Sequence, residues 1–319
     1  MIYDAIVVGC GGVGSAALYH LASRGARVLG IDRFPPGHDR GSSHGETRVI
    51  RQAYFEHPDY VPLLQQAYVL WSDLEQREGR RLYHETGVLS LGPPDGEVVP
   101  GVLESARAHD LAVESLSASA VRSRFPGLAV PEGYGAVFEK QGGYLRVEDC
   151  VTAYVRQARR CGAEIRVGES VAGWRPGNQG IVVETGSGRY AARHLVVTAG
   201  AWARDLLEGL DIELSVVRKH LHWYGNQDSR YREEAGCPVF FYELSDGLFY
   251  GFPQTGPLGV KVAEHSGGEP VRDASGLDRT LDPEEARRNE DFVRRWLPGV
   301  HGARTHHAAC MYTPVSYTH

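Results

Sequence analysis

Residues 2–8 are an apolar run that stops at Gly9, and the chain then reads Gly9-Cys10-Gly11-Gly12-Val13-Gly14. A strand that runs through such a loop into a helix gathers free backbone N–H groups and the positive end of a helix at one point, which suits a pyrophosphate. The glycines allow the sharp turn and the close approach of backbone to ligand. Residues 13–24 carry Val13, Ala16, Ala17, His20 and Leu21 at helical spacing, and residues 26–31 return as a second strand ending in Asp32. Asp32 stands 23 residues beyond Gly9, where a carboxylate accepts from ribose hydroxyls and disfavours a 2′-phosphate. Strand, glycine turn, helix and strand within about thirty residues make a βαβ unit, with Gly9, Gly11, Gly14 and Asp32 as its expected ligand-binding residues.

Downstream, residues 35–45 are rich in Pro, Gly, Ser and His and read as a loop. A helix is expected over 60–78, with Leu63, Ala67, Leu70, Trp71 and Leu74 on its buried stripe. Residues 87–91 read as a strand, 147–160 as a helix, and 181–183 and 195–197 as strands. From 216 to 262 several β segments follow, and then a charged helix over 283–296. The order predicts a nucleotide-binding domain over 1–82, 141–213 and 301–319, interrupted by a substrate domain over 83–140 and 214–300.

The formal charge of −6 argues against a general nucleic-acid binder. Five scattered cysteines make no disulfide framework and fit a reducing compartment. The N-terminus has no basic stretch or cleavage pattern, and no run approaches the roughly 18–20 apolar residues of a membrane span. The expectation is a cytoplasmic protein with no membrane partner.

The glycine loop fits NAD and FAD alike; Thr198-Ala199-Gly200-Ala201-Trp202 after a late apolar strand tilts the choice toward FAD. A second dense patch runs Gly41-Ser42-Ser43-His44-Gly45-Glu46-Thr47-Arg48-Val49-Ile50-Arg51. Ser43 and Glu46 have capping-box spacing, which predicts a helical turn there. On such a turn Arg48 and Arg51 would face one side. They would bind a carboxylate or bias a flavin's electrons; a solvated pair of surface arginines has the same spacing. His306, His307 and Cys310, and His220 with His222, lack the further ligands of a zinc site, so no metal is expected.

Taken together, the chain resembles the monomeric sarcosine oxidase and N-methyltryptophan oxidase family of FAD-dependent amine oxidoreductases over nearly its whole length. The resemblance rests on the first strand and glycine loop, the His44 to Arg48 signature continuing to Arg51, and Tyr60-Val61-Pro62-Leu63. It rests also on Thr86-Gly87-Val88-Leu89, Tyr250-Gly251-Phe252-Pro253, Lys261 with His265, and Cys310-Met311-Tyr312-Thr313. It implies an α/β fold: a Rossmann-like FAD-binding domain with an inserted α+β substrate domain on a mixed or antiparallel sheet. It also implies FAD bound covalently through Cys310, with Ser42, Arg48 and Gly200 among the cofactor contacts. Arg51 resembles the residue that binds the substrate carboxylate, and Tyr250 and Phe241 those around the amine. Arg48 and His44 would lie against the flavin, Lys261 would assist oxygen reduction, and His265 would be a neighbouring active-site group.

The implied reaction is oxidative demethylation of an N-methyl amino acid (sarcosine or N-methyltryptophan) by molecular oxygen, giving formaldehyde, the primary amino acid and hydrogen peroxide, in a monomer. Another secondary amine or amino acid, such as pipecolate or a glycated amino acid, is the alternative substrate. Phe241 and the stretch at Trp223-Tyr224 lean toward a roomy aromatic pocket, and Cys310-Met311-Tyr312 toward the sarcosine oxidases. Two departures are mild: Ser43 stands where relatives have a histidine, and Glu46 where they have an aspartate. A third is not, because the family continues for several tens of residues past its cysteine, and residues 314–319 do not resemble it. The expectation is a fragment whose activity is in doubt.

Overall fold

A computed structural model describes residues 2–178, 180–208, 210 and 212–314; the divergent tail at 315–319 lies outside them. The expected βαβ unit forms from β1 (Ile2–Val8), α1 (Gly12–Ser23) and β2 (Val28–Asp32). Then come β3 (Thr47–Ile50), α2 (Val61–Glu78), β4 (Tyr83–His84) and β5 (Val88–Gly92). The segment α3 (Val98–Ala108), β6 (Glu114–Ser117), α4 (Ala118–Arg124), β7 (Gly135–Glu139) and β8 (Gly143–Arg146) leads to α5 (Val147–Arg160).

Four strands then join the first unit: β9 (Glu164–Val167), β10 (Val171–Gly177), β11 (Gly180–Thr185) and β12 (Gly188–Val197). This sheet runs β10-β11-β12-β1-β2-β9, with β12, β1, β2 and β9 parallel. A parallel strand is covered on both faces and reads as a continuous apolar run, which is what Ala5-Ile6-Val7-Val8 is. Ala5 and Val7 pack toward α1 and α5, while Ile6 and Val8 pack on the opposite face with Leu29, Ile31 and Val183.

The rest of the chain adds a short α6 (Ala203–Leu206), β13 (Val217–Tyr224), β14 (Val239–Leu244) and β15 (Gly247–Phe252). It ends with β16 (Val260–Glu264), β17 (Glu269–Pro270), α7 (Pro283–Trp296) and β18 (Arg304–Tyr312). These build a mixed sheet in the order β17-β13-β16-β15-β14-β5-β7-β6, with β18 also paired to β13. Period-two alternation gives it two different faces. Phe240, Tyr242, Phe249 and Val262 pack under α7 with Phe292 and Val293. Phe241, Tyr250, Ala263, Leu221, Trp223 and Cys310 share the other core, together with Tyr144 and Val49 from the small sheet β3-β8-β4. That second face carries the candidate site. No helix among the described residues is long and apolar enough to cross a membrane.

Several local expectations are corrected. The residues of α1 that bury are Gly14, Ser15, Leu18, Tyr19 and Ala22, whereas Val13 is 73% exposed; the first turn has to face the ligand cavity, so the core stripe is rotated. Of the α2 stripe only Leu74 is buried and Leu63 is 70% exposed, because α2 meets α5 only through its C-terminal half, at Trp71, Leu74 and Glu78. The turn expected at Ser43 does not form: residues 47–50 are strand β3, and Glu46 stands at φ 68°. Strand β18 hydrogen-bonds to β13 along its length, with Lys219 opposite Cys310 and His222 opposite His307.

Candidate active site

The glycine loop is shaped by what it must avoid. Gly9 takes φ 89°, and a Cβ there would lie 2.5 Å from the Thr198 carbonyl oxygen. A Cβ on Gly14 would lie 1.8 Å from the Gly9 carbonyl oxygen and 2.5 Å from Thr198 Oγ1. Thr198 donates its hydroxyl to Gly9 O at 2.7 Å, so the Thr198-Ala199-Gly200 stretch braces the loop from β12. The Ser43 hydroxyl oxygen accepts from Gly12 N–H at 3.0 Å. Asp32 accepts from Cys10 N–H at 2.6 Å and from Phe34 N–H at 2.8 Å, which fixes its carboxylate at the strand end. A cavity of about 1130 Å³ starts at Asp32 and Glu169, crosses Gly11 and Gly200, and reaches Ser42, Arg48 and Tyr312.

At the far end of that cavity the chain from Ser42 to Arg48 is held from three directions. Glu148, in the first turn of α5, accepts from Gly45 N–H at 2.7 Å and Glu46 N–H at 3.1 Å. Trp223 on β13 donates its indole N–H to Glu46 Oε2 at 2.8 Å. Lys261 on β16 donates to Gly45 O at 2.6 Å and to Thr47 O and Oγ1 at 3.1 Å each. Gly45 has to be glycine at φ 94°, since a Cβ would lie 2.5 Å from Leu221 Cδ1.

Charge is concentrated here. Arg48 donates to Ser42 O at 2.6 Å and lies beside Cys310, Tyr250 and Tyr312. Cys310 is fully buried, its thiol 3.7 Å from Ser42 O. Burial, then the Arg48 cation, pushes Lys261 down to about 7, while Cys310, Glu148 and Glu46 pull it up. The same two causes push His44 down to about 4, so it is neutral at pH 7; its Nε2 is buried without a partner among the described residues.

Phe241, His265, Tyr250 and Tyr312 line the adjoining space. His265 lies 5.7 Å from Phe241, 6.3 Å from Tyr250 and 5.7 Å from Tyr312 between ring centroids, and the two tyrosine hydroxyls are 3.3 Å apart. Burial, with Tyr312 next to it, holds Tyr250 well above the usual phenol range. Phe55 closes on Phe241 at 5.5 Å. Arg51 packs over Tyr54 and Phe55 and is paired with Glu56 at 3.3 Å.

The sequence-predicted residues thus fall into two groups. Gly9, Gly11, Asp32, Ser42, Gly200 and Arg48 line the cavity, Gly14 packs behind the loop against Gly9 O and Thr198, and His44, Cys310, Lys261, Tyr250, Phe241 and His265 gather near the far end of the cavity. Arg51 is set apart by its pairing with Glu56. Neither arginine is a solvated surface group. Glu148 and Lys219 were not among the sequence-predicted residues; a lysine inside an Arg-Lys-His run reads as surface, and no local signal marks it as buried. The histidines also divide: His306 lies against Trp223 with its ring tilted 59° to the indole, whereas His220, His222 and His307 cluster on the opposite face beneath α7. Among the described residues no group of three or more His, Cys, Asp or Glu side chains is placed to hold a metal ion.

A family model described as FAD dependent oxidoreductase matches residues 4–318. The chain is 40% identical over 316 residues to the monomeric sarcosine oxidase of Streptomyces avermitilis, a match covering 98% of this chain and 82% of that one. It is 39% identical over 316 residues to the N-methyl-L-tryptophan oxidase of Yersinia pestis, covering 98% and 83%. Among solved structures, NikD, an unusual amino acid oxidase essential for nikkomycin biosynthesis, superposes with a TM-score of 0.85 at 27% identity, over 98% of this chain and 82% of that one.

Proposed function

The chain belongs to the FAD-dependent oxidoreductases, beside the monomeric sarcosine oxidases and N-methyl-L-tryptophan oxidases, and from that premise we propose that it oxidatively demethylates an N-methyl amino acid. The observation that carries this reading is the meeting of Cys310, Arg48, Lys261 and His44 at the end of a dinucleotide-sized cavity, beside the Phe241, Tyr250 and His265 box. The residues present fit FAD: the loop is bare of Cβ atoms where backbone approaches closely, and Asp32 closes one end while Arg48 marks the other.

FAD, held along the glycine loop and between Asp32 and Arg48, would supply two-electron redox chemistry, for a net reaction in which an N-methyl amino acid, oxygen and water become the primary amino acid, formaldehyde and hydrogen peroxide. Cys310 is the residue for covalent attachment, held by β18 against the Ser42 carbonyl. Arg48 supplies a fixed cation in a dry site, where it stabilises developing negative charge more than it would in water. Arg51 binds the substrate carboxylate bidentately, exchanging Glu56 for it. Phe241 and Tyr250 form an apolar wall that favours the neutral amine over the ammonium. Lys261, with its ammonium held near neutrality, gives or takes a proton during oxygen reduction at physiological pH.

The test uses the full chain loaded with FAD. Acid precipitation gives a yellow pellet if Cys310 carries the flavin, and Cys310→Ser gives a colourless one. Anaerobic mixing with sarcosine or N-methyl-L-tryptophan bleaches the flavin band, and admission of air returns formaldehyde and peroxide in equal amounts. A loaded protein that keeps its colour with every N-methyl amino acid disproves the reading.

A further inference from the structure

A buried lysine on the site-facing side of β13 has no role in the mechanism above. Lys219 is 1% exposed and lies in register with Cys310 on β18. Its ammonium donates to Ser266 O at 2.6 Å and Gly267 O at 3.3 Å, and lies 5.9 Å from the centre of the Tyr312 ring. Among the described residues no carboxylate reaches it within ion-pair distance. Burial lowers its affinity for a proton, and the more distant Glu285 and Glu264 restore part of it.

An ammonium taken out of water without an ion-pair partner is unfavourable, so its neutral contacts have to be well placed. The two carbonyls it binds are those of the residues immediately after His265. The turn has a second set of ties: the Ser266 hydroxyl donates to Glu264 and accepts from Leu248 N–H, and His265 N–H donates to Leu248 O. Those ties fix the turn to the β15–β16 hairpin, and β17 pairs with β13 just beyond it; Lys219 adds a tie from β13 to the two carbonyls next to His265 and to the Tyr312 ring. His265 stands between them, against Phe241, Tyr250 and Tyr312.

We propose that Lys219 is a positioning residue for substrate binding, a pin that sets the His265 turn and the Tyr312 ring at their working separation. The inference rests on the proposed oxidation of an N-methyl amino acid at this site. The charge serves to make two strong hydrogen bonds to carbonyls, and His265 is the residue through which it acts on substrate.

Lys219→Met keeps the length and the packing and removes the donors; Lys219→Gln keeps a neutral donor. Loss of the pin is expected to raise KM for the N-methyl amino acid about tenfold in Lys219→Met, with kcat nearly unchanged and Lys219→Gln recovering part of the loss. His265→Ala combined with Lys219→Met should raise KM no further than His265→Ala alone, since two residues acting through one contact are not additive. Independently of turnover, hydrogen–deuterium exchange over residues 263–270 should quicken in Lys219→Met while the β14–β15 hairpin stays protected. A folded Lys219→Met with native KM and native exchange at 263–270 overturns the proposal, as do KM effects that add to those of His265→Ala. If Lys219→Met does not fold, the same readouts on Lys219→Gln decide. Should the wild-type chain oxidise no N-methyl amino acid, the functional reading fails and the exchange measurement alone judges the pin.

Discussion

The indole N–H of Trp223 donates to the Glu46 carboxylate across 2.8 Å, so a strand of one sheet holds the non-glycine residue that stands at φ 68° beside the candidate flavin site. A non-glycine residue in the left-handed region costs about 1–2 kcal/mol and persists only where its surroundings fix it. Here Glu148 takes both backbone N–H groups, at Gly45 and Glu46, and Trp223 takes the side chain.

That arrangement predicts an asymmetry. Trp223→Phe leaves the carboxylate without its donor and should lower stability by about 1–2 kcal/mol, read from urea unfolding of the FAD-loaded protein. Glu46→Gln keeps an oxygen for the indole and should lose much less. Equal losses in the two variants would mean that a neutral acceptor cannot replace the carboxylate, and would overturn the asymmetry.

Lys261 predicts a pH dependence. With its proton affinity near 7, the ammonium is present below that pH and is lost above it. The oxygen half-reaction, followed by stopped flow after anaerobic reduction, should therefore slow as pH rises through about 7 in the wild type. Lys261→Met should be slow and flat across the same range. For stability the sign is the opposite: between about 7 and 10.5 the unfolded chain binds more protons than the native one, so this group adds stability as pH rises through that window.

The histidines under α7 predict sensitivity to acid. His220 and His307 are 2.6 Å apart between Nδ1 and Nε2, and His222 lies 5.6 Å from His307 between ring centres. Burial, then His307, pushes His220 to about 4 and His222 to about 3. Arg218, Arg304, Lys219, Glu285 and Asp282 surround the group. All three imidazoles are neutral at pH 7, and the unfolded chain takes up their protons below about 6.5. The stability they support is therefore intact above 6.5 and is lost as pH falls toward 3–4. His222→Leu should leave the melting temperature at pH 7 within a few degrees and move the acid-unfolding midpoint down by about half a pH unit; an unmoved midpoint refutes the assignment.

Gly14→Ala tests the nucleotide loop. Its methyl would lie 1.8 Å from Gly9 O, backbone that Thr198 holds in place. The variant should purify without flavin, whereas Gly186→Ala, at an exposed turn with no atom within 4 Å of the added carbon, should keep it. Normal flavin content in Gly14→Ala would show that the loop can shift.

Local chemistry made part of this molecule legible in its sequence. The β1–α1–β2 unit was readable because strand, glycine turn, helix and Asp32 all lie within one short segment. Helices α5 and α7 were readable because each carries its own apolar stripe and end signals. Helix α2 was misread at Leu63 because spacing defines a stripe but not the partner that covers it. The turn at Ser43 was misread because Glu46 satisfies Trp223, 177 positions away, instead of the local backbone.

What the sequence determined by itself, then, is the nucleotide-binding unit, the alternation of the later strands and the family to which the chain belongs. Only the tertiary structure decided that Lys219 is buried, that Arg51 is held by Glu56, and that three histidines share one face with α7 while Cys310 and Lys261 share the other. The physical reason is distance along the chain. A glycine turn is fixed by φ, ψ and its nearest neighbours, whereas the burial and charge of a strand residue depend on which strands and helices pack against it, and those arrive from as far as two hundred residues away.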